Sequence, residues 1–331
     1  MKKRASVSLK QLLFALGFLL AFSCMTAFLF IWQRDEKRFS NLTMQLFTDD
    51  MKSNTLNMHY TIAHPENFGV YEYEPTLGIY DAEENLRSQA ETENTLAALQ
   101  SLNKNKLSEA DAQLLQLLIR SLENTLKLNR FSYYSEPLSP SSGAQTQLPI
   151  LLAEYTFRTR RDVEDYLALL DQTDAYFASL LAYEQEKAAA GLASPGSFLK
   201  QVRAQCDQII TASDLEAGNH FLQSTFKERL EALLEAGEIT AKEAEGYVAA
   251  NDRLLKTVLL PSYVSLGDGL LLLEDESILP TGLAALPDGK AYYEQLVILK
   301  TGSYRSASEI QTLLAGQFSK IYEEIKAILS S

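Results

Sequence analysis

The sequence predicts an all-α protein: a single N-terminal transmembrane helix followed by a multi-helix extracytoplasmic domain. Three observations carry that prediction. One uncharged run near the N-terminus is long enough to span a bilayer. Leucines and aromatic residues recur at helical spacing through most of the remaining chain. Helix-start signals precede those stretches, whereas strand-like alternation is scarce.

The first element is the anchor. Residues Gln11–Trp32 contain no charged side chain. A helix of that length reaches roughly 30 Å, the thickness of a bilayer's hydrocarbon core. Lys2, Lys3, Arg4 and Lys10 precede the run without an acid, while Arg34, Asp35, Glu36, Lys37 and Arg38 after it are mixed. The positive-inside bias then puts the N-terminus in the cytoplasm and the body outside it. The run is longer than the apolar region of a cleaved signal, and apolar residues continue past Met25-Thr26-Ala27, so an uncleaved anchor is favoured. Leu19–Cys24 loosely resembles a lipobox, which gives the alternative of a lipoprotein anchored at Cys24. Residues 1–34 are thus the cytoplasmic tip and anchor, and residues 35–331 the helical domain.

Charge excludes several functions. Beyond residue 34 the chain carries 25 Lys and Arg against 43 Asp and Glu. A nucleic-acid-binding body would carry a basic patch or stripe, so no nucleic-acid partner is expected. Composition, with 46% hydrophobic and 22% charged residues, is that of a folded chain. Two cysteines, Cys24 and Cys206, cannot form a disulfide framework or a four-cysteine zinc site.

The helices follow in order. Ser108 with Asp111 reads as a helix start, followed by Leu114, Leu115, Leu118, Leu122 and Leu126. Residues 160–190 form the longest candidate, with Val163, Leu167, Leu170, Phe177 and Leu181 on one face and Gly191 as its stop. Ser194-Pro195 reads as a cap with proline in the first turn, opening a helix with Phe198, Val202 and Ile209. Another helix fits residues 217–236 and ends at Gly237. Thr240 and Glu243 form a capping box whose helix meets Pro261, where a kink or break is expected. Pro287-Asp288-Gly289 is a turn feeding residues 291–299. Ser306 and Glu309 form a second capping box, opening a last helix with Ile310, Leu313, Leu314, Phe318, Ile321 and Ile325. Phe68–Tyr80 reads as an extended loop. Residues 137–149, with three prolines and Ser-Ser-Gly, read as an irregular loop.

Catalytic signatures are absent. His59 and His64 are five residues apart, about 140° around a helix, and His220 lies far away. A helical zinc site needs histidines at i and i+4. No Gly-x-Ser-x-Gly elbow and no phosphate-cradling glycine loop occurs. Cys206 sits mid-helix as an inert core thiol. Tyr133-Tyr134 and Tyr292-Tyr293 read as boundary packing. No catalytic residue and no metal ligand is assigned.

Several pieces in order nevertheless resemble one family. They are His59–Glu66, Pro137–Pro140 with Gly143–Pro149, Arg161–Tyr166, Leu286–Tyr293 and Thr301–Ser306. Together they resemble the bacterial domain-of-unknown-function 885 family, from about residue 40 to the C-terminus. That family is similar to helical zinc metallopeptidases, with members exported or lipid-anchored. The resemblance implies a His-Glu pair and a Pro-Gly-His segment in a C-terminal half. No His-Glu dipeptide occurs here, so the resemblance covers only the N-terminal half and its zinc ligands have no positions in this chain. It does imply a cleft-facing element, with Gly143, Gln145 and Gln147 as substrate-cleft candidates. The expected role is cleft shaping beside a C-terminal catalytic half, with this chain inactive alone. The alternative is a complete, non-catalytic tethered module that binds a peptide or protein partner.

Overall fold

The structure, a computed structural model, describes residues 35–273 and 282–330. The proposed anchor over 11–32 and Cys24 lie outside them. Every regular element among the described residues is helical.

Contacts divide the chain into two units. The first comprises the described residues up to Phe47 together with Glu91–Glu123. It contains parts of α1 (residues 35–53), α3 (Ala82–Gln100) and α4 (Glu109–Leu128). Phe39, Leu99, Leu102 and Leu115 form its core. As expected, the Ser108 hydroxyl accepts from the Asp111 backbone N–H and opens α4.

The second unit, Thr48–Ala90 with Asn124–Ser331, holds the larger core. Short α2 (Thr55–Thr61) precedes an extended segment over 70–80, which is non-helical as predicted. Gln172 braces that segment. Its side chain donates to Pro75 O and accepts from Leu77 N–H, so it substitutes for a neighbouring backbone.

Residues 137–149 are only half irregular. From Ala144 the chain is helical, as α5 (Ala144–Glu154), with Pro149 inside it. Pro149 cannot donate to the Gln145 carbonyl four residues back. Tyr263 Oη donates to that carbonyl at 2.6 Å, which removes the cost of the missing bond. The partner lies 118 residues away, so the local sequence could not show it.

The long helix expected over 160–190 is two helices, α6 (Arg160–Asp171) and α7 (Thr173–Ala189), separated at Gln172. Gly191 ends α7 at φ +75°, where an L side chain would be strained. Ser194 does not cap α8 (Gly196–Ile209), whose N-cap is Pro195. Its hydroxyl accepts from Lys187 Nζ at 2.9 Å inside a buried polar cluster. The helix expected over 217–236 starts later, at Phe221. Gly218 closes α9 (Ala212–Ala217), and α10 (Phe221–Glu235) begins after His220, which caps it. Both remaining capping boxes form, at Thr240 for α11 (Ala241–Leu254) and at Ser306 for α14 (Ala307–Leu329).

Pro261 does not break its helix. A π-turn at Leu255–Leu259 joins α11 to α12 (Leu260–Leu271), and the wider hydrogen-bond register accommodates the proline ring. The joined run Ala241–Leu271 has the length and apolarity to cross a membrane. Its apolar face is instead the centre of this core: Leu255, Leu259, Tyr263, Leu266 and Leu270 are at most 1% exposed. Helix α12 packs on α7 and α8. Gly269 permits the approach to α7, because a Cβ there would overlap the Leu181 side chain. Cys206 is buried in the same core, as predicted, and burial pushes its thiol up to about 12.

Helix α13 (Gly289–Thr301) follows the Pro287-Asp288-Gly289 turn, and Tyr134 and Tyr292 pack 5.1 Å apart between centroids. Helix α14 contrasts with the rest. Its 23 residues include no buried one, and Leu314, Phe318, Tyr322 and Ile328 are all more than half exposed.

Candidate functional site

A groove of about 380 Å³ opens in the second unit between α2 and α5. Leu56, Leu77, Leu148 and Leu151 give it an apolar floor. Asn54, Asn57 and Tyr60 of the α2 region, Gln147 of α5 and Tyr176 of α7 add polar groups. Each is positioned for a local reason. Asn54 caps α2 by accepting from Asn57 N–H, and its amide donates to Leu77 O at 2.8 Å. That bond ties the extended segment to the helix start and brings Leu77 to the floor. Tyr60 Oη donates to Leu151 O at 2.6 Å and so fixes α2 against α5.

The three cleft candidates separate clearly. Gln147 is exposed and lines the groove. Gln145, two residues away on the opposite face of α5, is fully buried; its amide donates to Ser139 O at 2.7 Å and to Gln205 Oε1 at 2.8 Å. Gly143 is buried too, and a Cβ there would overlap the Ser139 backbone and the Gln145 side chain. These two hold the turn that starts α5, and Gln147 faces outward from it. Tyr60, Leu77 and Tyr176 come to the groove from segments whose pattern carries no ligand-binding signal. Only Tyr60 lies within a piece that carried the family resemblance.

No charged side chain lines the groove. Burial, with Glu154 nearby, pushes the Tyr60 hydroxyl up to about 12, and burial does the same for Tyr176. Both phenols stay neutral across physiological pH.

The histidines do not form a centre. His59 is buried, stacks on Tyr155 at 3.6 Å, and accepts from Thr156 N–H through Nε2. Burial and the Arg158 charge lower it to about 4, against an opposing contribution from Asp162, so the imidazole is neutral. With Nε2 occupied, it is an anchor for the chain after α5 rather than a base. His64 pairs with Glu66 at 3.1 Å on the surface. His220 accepts from Leu222 N–H and faces Ile209 O at 2.9 Å. Among the described residues no group of three or more His, Cys, Asp or Glu can hold a metal. The described donors therefore form no site that fits the zinc implied by the family resemblance.

A second polar cluster lies behind α7. Lys187 Nζ is 2.9 Å from Glu136 and 3.8 Å from Glu184, and both Lys187 and Glu184 are buried. Desolvation outweighs the Lys187 charge and raises Glu184 to about 7. One Glu184 oxygen has no hydrogen-bond partner.

The second unit is helical and holds a groove with an apolar floor and no charged lining residue. A family model for a bacterial protein of unknown function (DUF885) matches residues 65–331, and the chain belongs to that family. The match starts after His64, later than residue 40. No curated protein matches. Among solved structures, the chain is similar to one described as "the putative lipoprotein from Colwellia psychrerythraea". The TM-score is 0.69 at 16% identity, over 87% of this chain and 49% of that one. That likeness is one of fold, and this chain spans about half the length of that relative.

Proposed function

We propose that this chain is the N-terminal, cleft-shaping part of a membrane-tethered, zinc-metallopeptidase-like hydrolase. Its metal ligands and general base would come from a C-terminal half. The α2–α5 groove would serve as part of the substrate cleft, with Gln147 in its wall and Gly143 and Gln145 holding the turn behind it. The observation that carries the reading is the bare stripe on α14. Leu314, Phe318, Ile321, Ile325 and Ile328 recur at alternating spacings of four and three residues, and each is at least half exposed. Such a seam is built for helical packing, and monomers seldom leave one open. A fold neighbour of which the match covers only 49% supports a covering half. The tether is the run over 11–32, with lipidation at Cys24 as its alternative; the neighbour's description favours the latter.

The test joins this chain to the sequence encoded downstream of its Ser331 codon and follows amide exchange in α14. Exchange there should slow by more than about tenfold when the two parts are joined, and zinc should be retained only by the joined protein. Unchanged α14 exchange in the joined protein would overturn the reading. The second reading, a non-catalytic tethered module, is favoured by the groove itself, which is formed without any downstream sequence.

A further inference from the structure

We infer that the α2–α5 groove takes an uncharged, apolar side chain from an extended peptide, and that the Gln147 amide reads the adjoining peptide bond. The inference deepens the cleft reading above by naming what the cleft selects.

The lining chemistry decides the ligand class. The floor is four leucines, of which Leu56, Leu77 and Leu148 are nearly buried already. An aliphatic or aromatic side chain placed there removes further apolar surface from water. No charged side chain lines the groove to pair directly with a carboxylate or ammonium, so desolvating either against the leucine floor is unfavourable. The size, about 380 Å³, lies at the small end of ligand pockets. It suits a side chain with its backbone rather than a folded domain.

The polar groups decide the orientation. Most are already committed: Asn54 to Leu77 O and Asn57 N–H, Tyr60 to Leu151 O. Asn57 reaches Asp50 at 3.4 Å. The Gln147 side chain has no hydrogen-bond partner among the described residues, although it stands beside the floor residue Leu148. A carboxamide offers one acceptor and two donors, the complement of a peptide N–H and C=O. Gln172 shows the same pairing inside this protein, donating to Pro75 O and accepting from Leu77 N–H of the extended segment. Gln147 is placed to treat a bound strand as Gln172 treats residues 75–77.

The test uses the full chain in lipid nanodiscs with leucine methyls labelled. The probes are acetylated, amidated tetrapeptides that differ at one position: Leu, Glu or Lys. The Leu peptide should shift the methyls of Leu56, Leu77, Leu148 and Leu151 and bind about tenfold or more tightly than the Glu and Lys peptides. Gln147→Ala should weaken the Leu peptide by about fivefold or more without moving the thermal midpoint, since Gln147 is exposed. Equal binding of charged peptides, shifts confined to Leu313 and Leu314 of α14, no detectable binding, or an unaffected Gln147→Ala variant would overturn the inference. Selective binding without zinc or cleavage in the joined protein would sink the hydrolase reading and leave this one standing.

Discussion

Helices α12 and α14 are both amphipathic and both rich in large apolar residues, yet they end in opposite environments. Tyr263, Leu266 and Leu270 of α12 are at most 1% exposed, packed on α7 and α8. Phe318 and Ile328 of α14 are more than 70% exposed. Periodicity states that a face favours cover. It does not state whether the cover is within reach. The face of α12 meets small residues and leucines of its own unit, with Gly269 allowing the approach to Leu181. The face of α14 meets none of the described residues closely enough to bury any of its own.

The comparison breaks most readily in the core. Leu266→Ala should cost about 2–5 kcal/mol through lost transfer energy and a cavity, read as a fall in the urea midpoint. A loss below about 1 kcal/mol would mean α12 is not packed as described.

Charge sharpens the contrast. Glu184 on α7, beside this core, has its carboxyl raised by burial from 4.5 to about 7. The fold therefore favours the protonated acid, and that contribution is complete below pH 4.5 and lost as pH rises to about 7. Its full size is about 3 kcal/mol. Glu184→Gln should remove this part of the pH dependence, measured as thermal midpoint between pH 4.5 and 7.5 for both proteins. Parallel curves would show that Glu184 does not titrate inside that window. On α14 the acids Glu323 and Glu324 are instead exposed, with Lys326 and Lys320 within 4 Å.

The smallest effect belongs to α14. Phe318→Ser in this chain should change stability by less than about 0.5 kcal/mol, because the side chain has little contact to lose. The same substitution in a protein that covers the stripe should cost several times more. A large loss in this chain alone would show that α14 is covered already.

Much of the fold was legible because its signals are local. The boxes at Thr240 and Ser306, the Ser108 start and the stops at Gly191 and Gly237 depend on residues within one turn of each other. Several misread boundaries depend on partners outside the local turn. Gln172 interrupts 160–190 where its side chain pairs with residues 75–77, and Ser194 leaves its capping position for Lys187. Pro149 looked like a loop residue because Tyr263, which satisfies the freed carbonyl, is 118 residues away. Of the cleft candidates, helical phase alone separates Gln147, outward in the groove, from Gln145, inward in the core.

By itself the sequence determined the helical class, most helix ends, the acidity of the body and the lack of a local catalytic motif, because propensity, capping and charge act over a few residues. Tertiary structure alone decided which apolar faces are covered and that Asn54, Tyr60, Leu77 and Tyr176 meet at the groove. Those outcomes depend on packing between segments up to about a hundred residues apart, where contact is set by the whole core rather than by any local pattern.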